Sequence, residues 1–292
     1  MSCHAPPPPA DPAMAHDDGR RAAYPDTLVV SGGGLKGVAA LGAVSVLRRR
    51  GVLRHVKTMV GTSAGALVCA ILACGKDPRE VASRLGPRSF RPNIDLAGLP
   101  RSFGLDTGAG LLDFIDEVLG ERLTFAQLHR LHGVKLVVCV TNVAKRCPEY
   151  LGPDTHPDLD VALALRMSCS VPLYFAAVNL GPEQVYVDGV ISDNFPCEWA
   201  LAQGSRSVLG IRFKSKGGSV PTLEAYLAAL AECAIRQPKS PSAGGARLRG
   251  VQVLDLDTGT TAPLNLNAPR RQMRALFTRG TRQTKLWLKK NE

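Results

Sequence analysis

Two short motifs in this 292-residue chain carry residue types that can do chemistry. The first is Gly61-Thr62-Ser63-Ala64-Gly65, a GxSxG pattern between a predicted strand and a predicted helix. In that setting a serine sits on a tight turn with its hydroxyl exposed, and small neighbours let strand and helix approach closely. The chemistry available is nucleophilic attack on an acyl carbon, followed by release of the acyl group from the serine. A serine-containing turn without chemistry is the bland reading of the same five residues.

Ser63 needs a base, and in α/β-hydrolases that base is a histidine following both nucleophile and acid in the chain. The histidines are His4, His16, His55, His129, His132 and His156, with none beyond His156. All six read as structural or solvated. The strongest remaining base is Asp188 in Tyr186-Val187-Asp188-Gly189, directly after an apolar strand. A free aspartate is a poor base at neutral pH, but burial without a cationic partner raises its pKa toward a useful value. An Asp-Gly turn is the plain alternative for this dipeptide.

Cleaving an ester also places negative charge on the carbonyl oxygen, which backbone N–H donors stabilise by a few kcal/mol each. Gly32, Gly33 and Gly34 can supply such donors because no side chain blocks their backbone, and the helix that follows adds its N-terminal dipole. Lys36 adds positive charge or holds the loop. Gly32, Gly34 and Gly37 also fit GxGxxG, but a dinucleotide site expects an acid about 20 residues on. Here no acid occurs until Asp77. A Walker A loop fails as well, since Lys36 is followed by glycine at the wrong spacing.

The elements that must position these groups are read from hydrophobic periodicity. Thr27 to Val30 is a short buried strand, and Val38, Leu41, Val44, Val46 and Leu47 recur at helical spacing up to Arg48-Arg49-Arg50-Gly51. A second strand at Thr58 to Val60 and a helix at Ala66 to Ala73 repeat the pattern. Two βα units in succession predict a parallel sheet covered on both faces. Glycine, proline and charge interrupt every period from Gly86 to Gly110, which predicts a mobile loop region able to act as a lid. Helices are expected at about Leu111 to Leu119, Phe125 to Leu131 and Asp160 to Met167. Strands are expected at Lys135 to Val140, Val185 to Val187, Val208 to Phe213 and Val251 to Leu256.

Composition bounds the partners. A formal net charge of +11 suits an anionic partner, but only 5% of residues are aromatic and none interleave with Arg or Lys as base-stacking platforms require. No nucleic-acid partner is therefore expected. The eight cysteines show no CxxC pair and no zinc spacing, so they read as thiols in a reducing compartment, with no metal implied. Residues 1–24 read as a disordered proline-rich tail lacking the features of a signal peptide. No apolar run approaches the ~18 residues of a membrane span, so any membrane contact is expected to be peripheral and the chain cytoplasmic. One main domain is expected over 25–267. Residues 268–292 form a basic helix or tail, with Met273, Leu276, Phe277, Trp287 and Leu288 among arginines and lysines. This segment suits either a helix lying on an anionic membrane or one capping the core.

With these motifs in this order, the chain resembles the patatin-like phospholipase family over roughly Thr27 to Phe213. Ser31-Gly32-Gly33-Gly34-Leu35-Lys36-Gly37 resembles that family's oxyanion loop, and Gly61 to Gly65 its nucleophile elbow. Ala164-Leu165-Arg166-Met167-Ser168-Cys169-Ser170-Val171-Pro172 is similar to the helix and loop that shape its site. Asp188-Gly189-Val190-Ile191-Ser192-Asp193-Asn194-Phe195-Pro196 resembles the segment carrying its aspartate. Val190 stands where members usually have a second glycine, and Lys36 where many have arginine. The resemblance implies an α/β fold, a three-layer α/β/α sandwich around a mostly parallel sheet. It also implies a Ser63–Asp188 dyad supported by Lys36, Gly61, Gly65, Gly189 and Asn194, with no cofactor and no calcium. The implied substrate is the acyl ester of a phospholipid or neutral lipid at a membrane or droplet surface. An acyltransferase using the same dyad and a catalytically disabled lipid-binding protein are the alternatives.

Overall fold

The computed structural model describes residues 24–87, 89–214 and 248–291, with isolated positions between 220 and 233. The tail expected over residues 1–24 lies outside the described residues except for its last position.

The chain opens as β1 (Thr27–Val30), α1 (Gly37–Arg49), β2 (Thr58–Thr62) and α2 (Ala64–Ala73), the two βα units read from periodicity. It continues through α3 (Pro78–Arg84), α4 (Leu99–Ser102), β3 (Gly104–Asp106), α5 (Ala109–Leu119), α6 (Phe125–His132), β4 (Lys135–Asn142) and β5 (Cys147–Leu151). Then come α7 (Val161–Ser168), β6 (Leu173–Phe175), β7 (Val178–Gly181), β8 (Gln184–Asp188), α8 (Cys197–Ala202), β9 (Val208–Lys214), β10 (Val251–Asp257) and a long α9 (Arg270–Asn291).

The main sheet runs β10-β9-β1-β2-β4-β8-β7, with β5 paired to β4 off that path. From β10 to β4 every pairing is parallel, whereas β5 and β8 pair antiparallel with β4, and β7 pairs antiparallel with β8. Alternating strand residues point to opposite faces, and both faces are covered. Leu28, Val30, Leu136, Val138 and Val140 join one large core with α1, α2, α5 and α7. Val29, Val60, Val137 and Val208 face the other way, onto Cys197 and Ala200 of α8. The result is a three-layer α/β/α sandwich. Burying each such side chain stabilises the fold by roughly 1.5–3 kcal/mol.

Besides β3, three strands escaped the sequence pattern. β5 contains Pro148, and β6 and β7 are only three and four residues long with exposed positions. Edge strands of this kind lack the apolar alternation that marks a buried one. The stretch expected to be a mobile loop, Gly86 to Gly110, is tied down instead. β3 pairs with β6, and the fully buried Asp106 accepts hydrogen bonds from the amides of Asn93 (2.9 Å) and Gly108 (2.7 Å).

Of the two readings of the C-terminal helix, the structure shows its apolar face against the core. Met273, Leu276, Gly280 and Thr284 of α9 are buried. The contact with α1 is close because both helices present glycine there. A Cβ on Gly280 would lie 1.9 Å from the carbonyl oxygen of Ala39, and one on Gly42 would lie 2.2 Å from that of Phe277. Trp287 Nε1 donates to Val253 O (3.1 Å), and Gln283 exchanges two hydrogen bonds with the backbone of Asp257, which ties α9 to β10. Gly280→Ala separates packing from propensity: helix propensity alone predicts a gain of about 1 kcal/mol. The backbone contact predicts a loss of about 1–3 kcal/mol in urea denaturation.

Candidate active site

The site forms where two strands meet end to end along a third. β5 occupies one edge of β4 from Val138 to Asn142, so β2 and β8 must share the other edge. β2 pairs as far as Thr62 opposite Cys139, and β8, running the opposite way, ends with Asp188 opposite Val140. Adjacent rungs of one ladder thus bring the residue after β2 and the last residue of β8 together. Ser63 Oγ donates a 2.7 Å hydrogen bond to Asp188 Oδ2.

Ser63 lies at φ 54°, ψ −129°, a conformation costing a non-glycine residue on the order of 1–3 kcal/mol. Two features hold it there. Its N–H donates to Ser168 Oγ (2.8 Å), which in turn donates to Cys139 O (2.7 Å). Gly65 lets α2 close onto β1, since a Cβ there would meet Val30 O at 2.2 Å. Gly61 likewise abuts the backbone of Ala66. The nucleophile candidate therefore stands at the start of α2, on the carboxyl side of the sheet where α/β folds bind ligands.

Asp188 is almost wholly buried, at 1% exposure. Burial pushes its carboxyl from the carboxylate range up to about 7, against the opposing effect of hydrogen bonds from the Val190 amide and the Ser63 hydroxyl. The Val190 amide donates to Asp188 Oδ1 (2.9 Å), and Val190 is not among the residues of positive φ. The turn therefore accepts a β-branched residue where a second glycine was expected. Gly189 has no such latitude, because a Cβ there would lie 2.3 Å from Cys139 O.

The glycine loop lies beside this pair, with one correction to the sequence reading. The amide of Gly32 already donates to Asn194 Oδ1 (2.9 Å), so it is spent on the loop rather than free to meet an oxyanion. Gly34 has φ +53° and its Cα faces Pro263 O, where a Cβ would clash at 2.1 Å. Gly33, Gly34 and the buried Lys36 line the same cavity as Ser63 and Asp188. That cavity measures about 690 Å³ and is walled by apolar side chains including Val38, Leu41, Leu67, Ile71, Phe114 and Met273. Its walls come from α1, α2, α5 and α9.

Among the described residues no histidine lines it; His4 and His16 lie outside the described residues. Among the described residues, no group of three or more His, Cys, Asp or Glu side chains could hold a metal ion. Cys169 does line the cavity, but burial pushes its thiol up to about 12.

Ser168 and Arg166, within the block that resembles the family's site-shaping helix and loop, carry positioning tasks that the sequence reading gave to neither residue individually. Arg166 is 4% exposed and donates through Nε to Gly108 O (3.1 Å), through Nη2 to Thr107 O (2.9 Å) and Ala176 O (3.0 Å), and through Nη1 to Ser170 Oγ. The amide of Asp188 donates to Ser170 O (2.8 Å), so this guanidinium fixes the loop that holds the carboxylate strand. Its partners Thr107, Gly108 and Ala176 are distant in the chain, so its place on α7 does not reveal them in the sequence.

A family model described as patatin-like phospholipase matches residues 28–201, more than half of the chain. The probable lipid hydrolase 463L of Invertebrate iridescent virus 6 is 26% identical over 61% of this chain and 64% of its own length. The chain thus spans under two thirds of that relative. Uncharacterized protein YqhO of Bacillus subtilis (strain 168) is 30% identical over 63% of this chain and 69% of its own. The fold is similar to that of VipD from Legionella pneumophila, with a TM-score of 0.60 at 19% identity, covering 92% of this chain and 67% of the other.

The raised Asp188 pKa carries a stability consequence with a definite sign. A carboxyl whose folded pKa exceeds its unfolded value of about 3.9 favours folding below that value, and the contribution is lost as pH rises through about 7. Asp188→Asn removes the ionisation while keeping an acceptor for Val190 and a donor for Ser63. It should be more stable than wild type at pH 8 by a few kcal/mol. The difference should vanish below about pH 4 when thermal unfolding is followed across pH.

Proposed function

The chain belongs to the patatin-like phospholipase family, and on that premise we propose that it is a lipid acyl hydrolase working through Ser63 and Asp188. The observation that carries the reading is the 2.7 Å hydrogen bond from a strained serine to a buried carboxylate, at the mouth of an apolar cavity.

Ser63 Oγ attacks the ester carbonyl carbon as its proton passes to Asp188 Oδ2, within hydrogen-bond reach as a general base must be. The carbonyl π electrons move onto oxygen, where the amides of Gly33 and Gly34 receive the charge. Gly32 and Asn194 keep that loop in place through their own hydrogen bond. Collapse of the intermediate expels the alcohol, which takes the proton from Asp188, and leaves an acyl-enzyme on Ser63. Asp188 then takes a proton from water as the water attacks the acyl carbon, and collapse of this second intermediate breaks the bond to Ser63 Oγ, which recovers the proton from Asp188 as the fatty acid leaves. Catalysis needs no metal in this scheme, and the pKa near 7 gives an aspartate the basicity that histidine supplies elsewhere.

The acyl chain is the substrate part for which the cavity is suited. Its volume lies within the ~300–1,000 Å³ common for small-molecule sites, and each methylene buried in it contributes about 0.8 kcal/mol. A lipid surface as the place of work is supported by an apolar cluster on the segment beside the site. Ile94, Leu96, Phe103 and Leu173 are all more than half exposed. Phe103 and Leu173 also have left-handed backbones, at φ 59° and 66°. Bulky exposed residues in that region are rare, and exposed apolar clusters mark interaction surfaces. No helix among the described residues is long and apolar enough to cross a membrane, so the reading is of peripheral contact.

Hydrolysis of a nitrophenyl ester and of phospholipid vesicles, with chelator present, tests the scheme. Ser63→Ala and Asp188→Asn should each lower kcat/KM by at least about 10³-fold while the fold is retained. Full activity in either variant, or a requirement for calcium on the soluble ester, would contradict it. Because the base must be ionised, wild-type kcat/KM should rise about tenfold per pH unit below about 7 and level off above.

A further inference from the structure

The sequence left the C-terminal segment with one basic face and one apolar face, and the structure shows where the apolar one goes. α9 turns Met273, Leu276, Gly280 and Thr284 into the protein and is pinned through Gly42, Val253 and Asp257. It cannot embed that face in a bilayer without abandoning the core. The opposite face is exposed over the full length of the helix. Arg271, Arg274, Arg279, Arg282, Lys285 and Lys289 lie on it.

Several features of this face point to a ligand. From Arg270 to Asn291 there is no acidic residue. Among the described residues none of these six cations is in an ion pair. Arg271, Arg274, Arg279 and Arg282 rim a shallow groove whose other lining residues are Ala275 and Thr278. The small side chains Ala275 and Thr278 leave the surface between these arginines open, and the arginine guanidinium is the side chain best suited to bidentate contact with phosphate. Leu286 is 54% exposed on the same face, whereas no aromatic residue lies there to stack on a base. An apolar side chain among cations suits the headgroup region of a bilayer; nucleic acid would want the aromatic. The first turn of the helix also links the two sites: Met273 lines the acyl cavity while Arg271 and Arg274 face solvent.

We propose that the arginine face of α9 docks the protein on bilayers carrying anionic phospholipid, by electrostatic contact with headgroup phosphates rather than by helix insertion. This deepens the hydrolase reading and rests on it for the choice of lipid over other polyanions. Each cation near an anionic surface strengthens binding about fivefold, and the effect collapses at high salt.

The test uses the full chain carrying Ser63→Ala, so that vesicles are not consumed, in sedimentation with phosphatidylcholine alone and with phosphatidylcholine mixed with phosphatidylglycerol. Binding should require phosphatidylglycerol and disappear in 1 M salt. Replacing Arg271, Arg274, Arg279 and Arg282 together by Gln should weaken it by two orders of magnitude or more. A variant with the same charge change elsewhere, Arg50, Arg54, Lys57 and Arg146 to Gln, should lose less than tenfold. In the Ser63 background the α9 variant should hydrolyse a soluble nitrophenyl ester at the wild-type rate, which separates docking from catalysis. Equal weakening by both sets, unchanged binding by the α9 variant, or tighter binding to duplex DNA than to the anionic vesicles would each overturn the proposal. Failure of wild type on the soluble ester would instead count against the hydrolase.

Discussion

The way β4 divides its edges is the constraint on which the site depends. One edge is taken by β5, so β2 and β8 must approach each other along the second and stop on adjacent rungs. A β2 one residue longer or a β8 in a different register would separate Ser63 from Asp188, because a single-residue slip turns every side chain to the other face. The glycines around the junction serve the same end. Gly65 and Gly189 each stand where a Cβ would strike a backbone carbonyl, so the turns that carry the two candidate side chains can approach the sheet only with glycine at these positions.

The electrostatics of the pair follow from that packing. Asp188 is buried, and its carboxyl accepts from the Val190 amide and the Ser63 hydroxyl with no cation hydrogen-bonded to it among the described residues, so its charge is poorly solvated. In a structural role this would be a defect. In the proposed mechanism it supplies a base with a useful pKa, and the surrounding network keeps the geometry fixed. Ser168 ties the Ser63 amide to Cys139, and Arg166 ties Ser170, whose carbonyl holds the Asp188 amide, to the segment at Thr107 and Gly108. Thr107 and Gly108, in the stretch expected to be a mobile loop, thereby become part of the support of the site.

Much of this was legible in the sequence. The βα units were visible because fully buried parallel strands and the helices after them carry strong apolar periodicity, and Ser63 and Asp188 were visible because each follows such a strand. The edge strands β5, β6 and β7 were not, since half-exposed short strands leave no alternation to read. Asp106 and Arg166 were missed for a different reason. A buried polar network is defined by partners far apart in the chain, and Arg166 reaches Thr107 and Gly108 from almost sixty positions away. Gly32 was read as an oxyanion donor because a glycine triplet looks uniform; that Asn194 claims its amide depends on the fold. The last helix showed two faces in the sequence, which left open whether the apolar one meets a membrane or the core; the close contact at Gly42 and Gly280 and the hydrogen bonds to β10 depend on the fold.

The central claim is that Ser63 is a nucleophile activated by Asp188, and covalent trapping tests it most directly. Treating the protein with an alkyl fluorophosphonate across a range of pH and locating the adduct by peptide mass spectrometry reads both residues at once. The account predicts a single adduct on Ser63 whose rate of formation rises through pH about 7, as Asp188 ionises, and which is nearly abolished in Asp188→Asn. An adduct on another residue, or one forming on Ser63 at the same rate in Asp188→Asn, would contradict it.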